Sequence, residues 1–153
     1  MDRLNAFISY SHVDENKKND LIKFLHNLKR DNILEHWDDR QLLAGDKLDP
    51  EIKANLERAD LVILLVSQDF IASYYCYEIE LTKTLEMVNA GSARVISIVL
   101  DHCTWKSTPL KDFVLLPRDG NPVSEYSNAN KAWLEITDAI RDVCIDVKKK
   151  RFR

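Results

Sequence analysis

At 153 residues, 45% hydrophobic and 31% charged, the chain has the size and composition of one ordinary globular domain with a sizeable core, which excludes global disorder. A net charge of −3 leaves no basic footprint for nucleic acid, and no run approaches the ~20 apolar residues of a membrane-spanning helix. The three cysteines, Cys76, Cys103 and Cys144, are scattered and odd in number, which fits a reducing, cytoplasmic setting, as does a start without a signal-peptide layout. No CxxC or HxxxH pair suggests a metal site.

Residues 6–10 form a short apolar run ending in hydroxyl groups and read as a first strand. Leu21, Ile22, Phe24, Leu25 and Leu28 then recur at helical spacing, which predicts an amphipathic helix over 14–30. A second strand is expected at 32–37, and a polar loop at 38–49 containing the turn Ala44-Gly45-Asp46. Pro50 suits the first turn of a helix capped by Asp49 and running to about residue 58. Residues 61–66 are apolar at every position, the mark of a central parallel strand buried on both faces. A helix is expected at 70–88, a buried strand at 95–100, and an irregular stretch at 101–127 in which 113–116 can form a short fifth strand. Trp133, Ile136 and Ile140 pattern a last helix at 129–147, followed by a basic run at 148–153.

Strands alternating with helices imply an α/β fold, an open parallel five-stranded sheet with helices on both faces. Right-handed crossovers favour the flavodoxin-like order 2-1-3-4-5. In that order the loops after Tyr10 and Val66 meet at the switch point, where such sheets bind ligands. Tyr10 and Ser11 are therefore candidate substrate contacts, and Trp37, at the end of strand two, either stacks on a ligand or closes the core.

The usual occupants of such a crevice are disfavoured. There is no GxGxxG, no GxxxxGK[ST] and no GxSxG, and the chain holds only three glycines. A phospho-receiver needs an acidic pair after strand one and an aspartate ending strand three, whereas these strands end Ser9-Tyr10-Ser11 and Val66-Ser67-Gln68. The carboxylates that remain are Glu78 and Glu80, in a serine-capped, aromatic-rich stretch from Ser67 to Leu81. At 100° per residue they fall on opposite borders of the stripe formed by Tyr77, Leu81, Thr84, Leu85 and Val88, so helical phase alone does not separate them.

Three motifs in order carry a resemblance. They are Ala6-Phe7-Ile8-Ser9-Tyr10-Ser11, the segment from Trp37 to Asp46, and the stretch from Ser67 to Leu81; Trp133 adds to them. Over roughly residues 4–145 the chain resembles a Toll/interleukin-1 receptor (TIR) domain of the bacterial, NAD-cleaving type. The resemblance implies an NAD+ glycohydrolase that takes NAD+ as substrate, needs no cofactor, and is activated by self-association in bacterial antiviral defence. It implies one catalytic glutamate on the third helix. Glu80 fits best, because Glu80-Leu81 opens a pattern completed by Leu85. In many plant and animal members the cysteine and the glutamate stand one residue closer than Cys76 and Glu80, which keeps Glu78 as second choice. It further implies that the loop bearing Asp38, Arg40, Gly45, Asp46 and Lys47 covers the site and joins subunits. Tyr77 completes the expected substrate-binding set. The domain is expected over 1–147, with 148–153 a basic tail or the start of a linker to a sensor domain. The same resemblance allows two alternatives, a non-catalytic TIR–TIR scaffold and a mimic of host adaptors.

Overall fold

A computed structural model describes residues 3–39, 44 and 48–151. Its centre is β3 (Leu61–Val66), in which all six side chains are buried, as an unbroken apolar run in a covered sheet requires. Strands β1 (Leu4–Ser9), β2 (Leu34–Trp37), β4 (Arg94–Val99) and β5 (Leu115–Leu116) complete a five-stranded sheet in the order β2-β1-β3-β4-β5. Every pairing is parallel, with Ser9 opposite Leu64 and Phe7 opposite Trp37.

The period-two alternation of the strands sorts their side chains into two cores. Ala6, Ile8, Leu61, Ile63 and Leu65 face α1 (Glu15–Arg30) and α5 (Ala129–Arg151), whose Leu21, Leu25, Trp133 and Ile136 are fully or almost fully buried. Phe7, Val62, Leu64 and Val66 face the other layer. That layer contains α2 (Leu48–Glu57), α3 (Gln68–Ala72), a π-helical segment (Tyr74–Leu81) and α4 (Thr82–Asn89). Ser9 follows Phe7 by two positions, so it shares Phe7's face and points at this second layer. No described helix is long and apolar enough to cross a membrane.

Three expectations need correction. The helix expected at 70–88 is three pieces. It breaks at Ser73, whose backbone is extended (φ −78°, ψ 122°), and resumes as a π-helix before becoming α-helical at Thr82. The break is built by side chains: Ser67 Oγ accepts from Phe70 N to start α3, and Ser73 Oγ accepts from Cys76 N at 3.1 Å to start the next piece. Asp49 is not a cap, because α2 already includes Leu48; its carboxylate instead accepts from Tyr75 Oη at 3.4 Å. The last helix does not stop at 147 but continues through the basic run to Arg151, whose guanidinium reaches Asp60 Oδ1 at 2.6 Å. Those cations stand at a helix C-terminus, where the backbone dipole favours them.

Candidate active site

Beyond the carboxyl end of β1 lies a cleft of about 350 Å³. Phe7, Ile8, Tyr10, Ser11 and His12 form one wall and Asp39 a second. Leu48 and Ile52 of α2 close the third side, and Ser73, Tyr75, Cys76 and Glu80 the fourth. The loops after β1 and β3 do meet, through a hydrogen bond from Ser67 Oγ to Asp14, but the cleft is displaced from that junction toward the β2 side.

Glu80 lines this cleft opposite the second carboxylate, Asp39, and is only 6% exposed. Ser9 Oγ, itself buried, donates to Glu80 Oε1 at 2.6 Å. Burial pushes the Glu80 carboxyl up to about 7; the Ser9 hydrogen bond opposes that rise and the charge of Asp39 adds to it. A carboxyl with this value exchanges its proton at neutral pH, a property concentrated at functional sites. Glu78, by contrast, is exposed and lines only the neighbouring groove, which Glu80 also borders, and not this cleft.

The π-helix separates the two. In an i→i+5 helix the turn is wider than the 100° phase assumes, so the inward stripe of this layer runs through Cys76, Glu80, Leu81, Thr84 and Met87 instead of through Tyr77 and Val88. Thr84 Oγ1 donates to the Glu80 carbonyl at 2.7 Å, which satisfies a backbone acceptor where the helix changes type. Cys76 donates its thiol to the Tyr10 carbonyl at 3.4 Å, tying the π-helix to the end of β1. Burial pushes that thiol up to about 11, so it is inert as a nucleophile.

Asp39 organises the opposite wall. Its Oδ1 accepts from Tyr10 Oη at 2.9 Å, and its Oδ2 pairs with His12 Nε2. Burial, reinforced by the Asp39 hydrogen bond and charge, pushes the Tyr10 phenol well above its ordinary value, so it stays a donor. Lys18 Nζ lies 5.2 Å from the centre of the Tyr10 ring and 3.4 Å from Asp38 Oδ1, which braces Tyr10 from behind. Tyr75, whose phenol is pushed up to about 12 chiefly by burial and then by the charges of Asp49 and Glu80, stands between this cleft and the neighbouring groove.

Of the residues singled out from sequence, Glu80, Tyr10 and Ser11 line the cleft together. Trp37 stacks on Phe7 with ring centroids 5.5 Å apart and packs against the second core. Asp38 is buried against Lys18, and Tyr77 packs against the same core as Trp37; none of the three lines the cleft. Arg40, Gly45, Asp46 and Lys47 lie outside the described residues. Sequence reasoning passed over Ser9, His12 and Asp39. Ser9 was legible from strand alternation with Phe7, whereas His12 and Asp39 are brought together across 27 residues by the parallel pairing of β1 and β2. Among the described residues no group of three or more His, Cys, Asp or Glu is placed to hold a metal ion.

The sequence profile described as TIR domain matches residues 6–138. The chain belongs to the TIR domain family. This TIR domain is 39% identical over 138 residues to an uncharacterized protein, y4lF, of Sinorhizobium fredii. That match covers 90% of the chain but 43% of the relative, so the chain spans less than half the length of the curated protein it matches. Among solved structures it is similar to the TIR domains of the activated Roq1 resistosome, which directly recognizes the pathogen effector XopQ. There the TM-score is 0.55 at 17% identity, covering 92% of this chain and 84% of that one. The likeness is one of fold, and the sheet order β2-β1-β3-β4-β5 is the one expected from the alternation of strands and helices in the sequence.

Proposed function

We propose that this TIR domain is an NAD+ glycohydrolase with Glu80 as its catalytic carboxylate, activated by self-association in bacterial antiviral defence. The observation that carries the reading is the placement of Glu80: buried, hydrogen-bonded through one oxygen to Ser9, and lining an open cleft at the carboxyl end of the sheet. A structural carboxylate has no need of a site that raises its pKa to about 7, since burial of this kind is costly unless compensated.

The chemistry asks little more of the protein. The nicotinamide ring nitrogen is cationic in NAD+, so when the C–N bond breaks nicotinamide departs neutral with the bond's electron pair. The ribose is left with oxocarbenium character, which an ionised Glu80 stabilises while accepting hydrogen bonds from the ribose hydroxyls. Water then adds to the anomeric carbon and loses a proton, giving ADP-ribose; attack by an adenine nitrogen gives a cyclic ADP-ribose instead. The cationic substrate itself favours the ionised carboxylate.

Self-association suits the neighbouring groove, on the other side of Tyr75. Tyr74, 72% exposed, and the exposed Ile79 flank a groove of about 580 Å³ that also includes Glu78, Lys83 and Glu86. Exposed aromatic and aliphatic groups with charges around them are the makings of a protein contact. The same surface supports the second reading, a TIR–TIR scaffold without catalysis, assembled by a fused or partner sensor domain.

Nicotinamide release from NAD+, followed at high protein concentration or under crowding, separates the readings. Wild type and Glu78→Ala are both expected to release nicotinamide, any loss in Glu78→Ala being recovered at higher protein concentration, as a change at the contact surface requires. Glu80→Ala and Glu80→Gln are expected to fall by about a hundredfold or more, the scale of removing a group that stabilises transition-state charge. No release from clustered wild type returns the chain to the scaffold reading.

A further inference from the structure

We infer that Ser9 is a positioning residue for this site: its buried hydroxyl commits one oxygen of Glu80 to the protein and leaves the other for the ribose hydroxyls. The inference deepens the glycohydrolase reading and rests on it for the reaction. Ser9 sits at the last position of β1, on the face that looks at the π-helix, and is 1% exposed. At that depth its hydroxyl must be paired, and Glu80 Oε1 at 2.6 Å is the partner. A strand end is a rigid support. The register that sets Ser9 opposite Leu64 in the central strand therefore fixes where the carboxylate stands.

The hydroxyl also opposes the two influences that hold the carboxyl neutral. Glu80 loses hydration on burial and faces the charge of Asp39 from the segment after β2. Among the described residues, the other titratable groups around the cleft are Tyr75 and Cys76 on its own helix, Tyr10 and His12 beyond β1, and Asp49 on α2, the partner of Tyr75, while Lys53, Glu78, Lys83 and Glu86 line the neighbouring groove that Glu80 also borders. Burial holds the Tyr75 phenol and the Cys76 thiol protonated, so neither adds a charge beside Glu80. Among the described residues, Ser9 is the group that stabilises the ionised carboxylate through a hydrogen bond.

Ser9→Ala is expected to move the midpoint of the acid limb of nicotinamide release upward by about one to two pH units, the worth of one hydrogen bond to a charged group. At limiting NAD+ the rate at pH 7 then falls about fivefold to fiftyfold, the loss in kcat being the smaller, and recovers toward wild type at pH 9. Ser9→Thr, which retains the hydroxyl, is expected to restore the wild-type midpoint. A loss of equal size at every pH, or a midpoint that does not move in a folded Ser9→Ala protein, overturns the inference. The titration of Glu80, read by NMR from its side-chain carboxyl carbon in wild type and Ser9→Ala, gives a readout independent of turnover. An inactive wild type whose Glu80 titration shifts upward on Ser9→Ala overturns the glycohydrolase reading and upholds the Ser9–Glu80 coupling. An unchanged titration overturns the coupling itself.

Discussion

The Lys18 ammonium lies 3.4 Å from Asp38 Oδ1, and both side chains are almost wholly withdrawn from water, at 4% and 3% exposure. A charge in that position is tolerable only while its partner remains. Asp38→Leu is therefore expected to lower the unfolding free energy by about 3–5 kcal/mol, because the Lys18 ammonium then keeps only the Tyr10 ring beside it among the described residues. Lys18→Met combined with Asp38→Leu is expected to cost less than the sum of the two single changes. Urea denaturation of the four proteins completes the cycle. Additive costs would show that the pair does not act as a unit and that Tyr10 is braced by packing alone.

For the proposed glycohydrolase, the placement of Glu80 predicts a pH dependence of turnover. The free protein's carboxyl titrates at about 7, so kcat/KM for nicotinamide release is expected to rise with pH and to reach half its plateau near that value. In the complex the cationic nicotinamide ring stabilises the ionised carboxylate, which moves the midpoint of kcat lower than that of kcat/KM. Initial rates from pH 5 to pH 9 at saturating and limiting NAD+ check both. A kcat/KM flat across that range removes Glu80 ionisation from the rate law.

Folding stability carries the same signature with a defined sign. Because the folded-state carboxyl is raised above the ordinary 4.5, the unfolded chain gives up its proton first as pH rises. The protonated carboxyl's contribution is thus complete below about pH 4.5 and is lost progressively up to about pH 7. Glu80→Gln retains the shape and an acceptor for Ser9 but cannot ionise. It is expected to match wild type near pH 4 and to exceed it at pH 8 by on the order of 2–3 kcal/mol. Thermal or urea unfolding of both proteins at the two pH values tests this, and an equal gain at both would trace the effect to packing instead.

The thiols should separate by depth. Cys76 and Cys144 are buried, with thiols pushed by burial to about 11, whereas Cys103 is half-buried. A small thiol reagent at pH 8 is expected to label Cys103 well before the other two, which wait for unfolding. Mass spectrometry of the labelled peptides decides it; early labelling of Cys76 would mean that the π-helix opens without global unfolding.

Much of this was legible in the sequence, for reasons tied to individual residues. The six apolar positions of Leu61–Val66 identified the central strand, and strand–helix alternation led to the sheet order. The short run at 113–116 contributed only Leu115–Leu116 as a strand, paired with Ser97 and Ile98. Helical phase could not separate Glu78 from Glu80, because it presumes i→i+4 bonding and this segment does not obey it. Family resemblance favoured Glu80, and Glu80 is the one of the pair that lies in the cleft beside Tyr10. Trp37 and Asp38 adjoin the site in sequence but turn toward Phe7 and Lys18, and no local pattern reports such tertiary choices. Asp39, one residue further on, faces the cleft instead.

The π-helical turn has a consequence for how the domain tolerates changes of length. Cys76 and Glu80, four positions apart, are both buried against the same cleft. A turn closed by i→i+5 bonds holds one residue more than an α-helical turn, so the additional residue is stored as a local thickening. Leu81, Thr84 and Met87 downstream still enter the core, and the helix retains its frame where a strict α-helix would have rotated every later side chain by about 100°. Sequence spacing and spatial position are thereby uncoupled at the one place where a carboxylate must be delivered to a fixed point. Removing a residue between Cys76 and Glu80 is accordingly expected to be absorbed by a return to α-helical geometry, with the core register after Leu81 preserved.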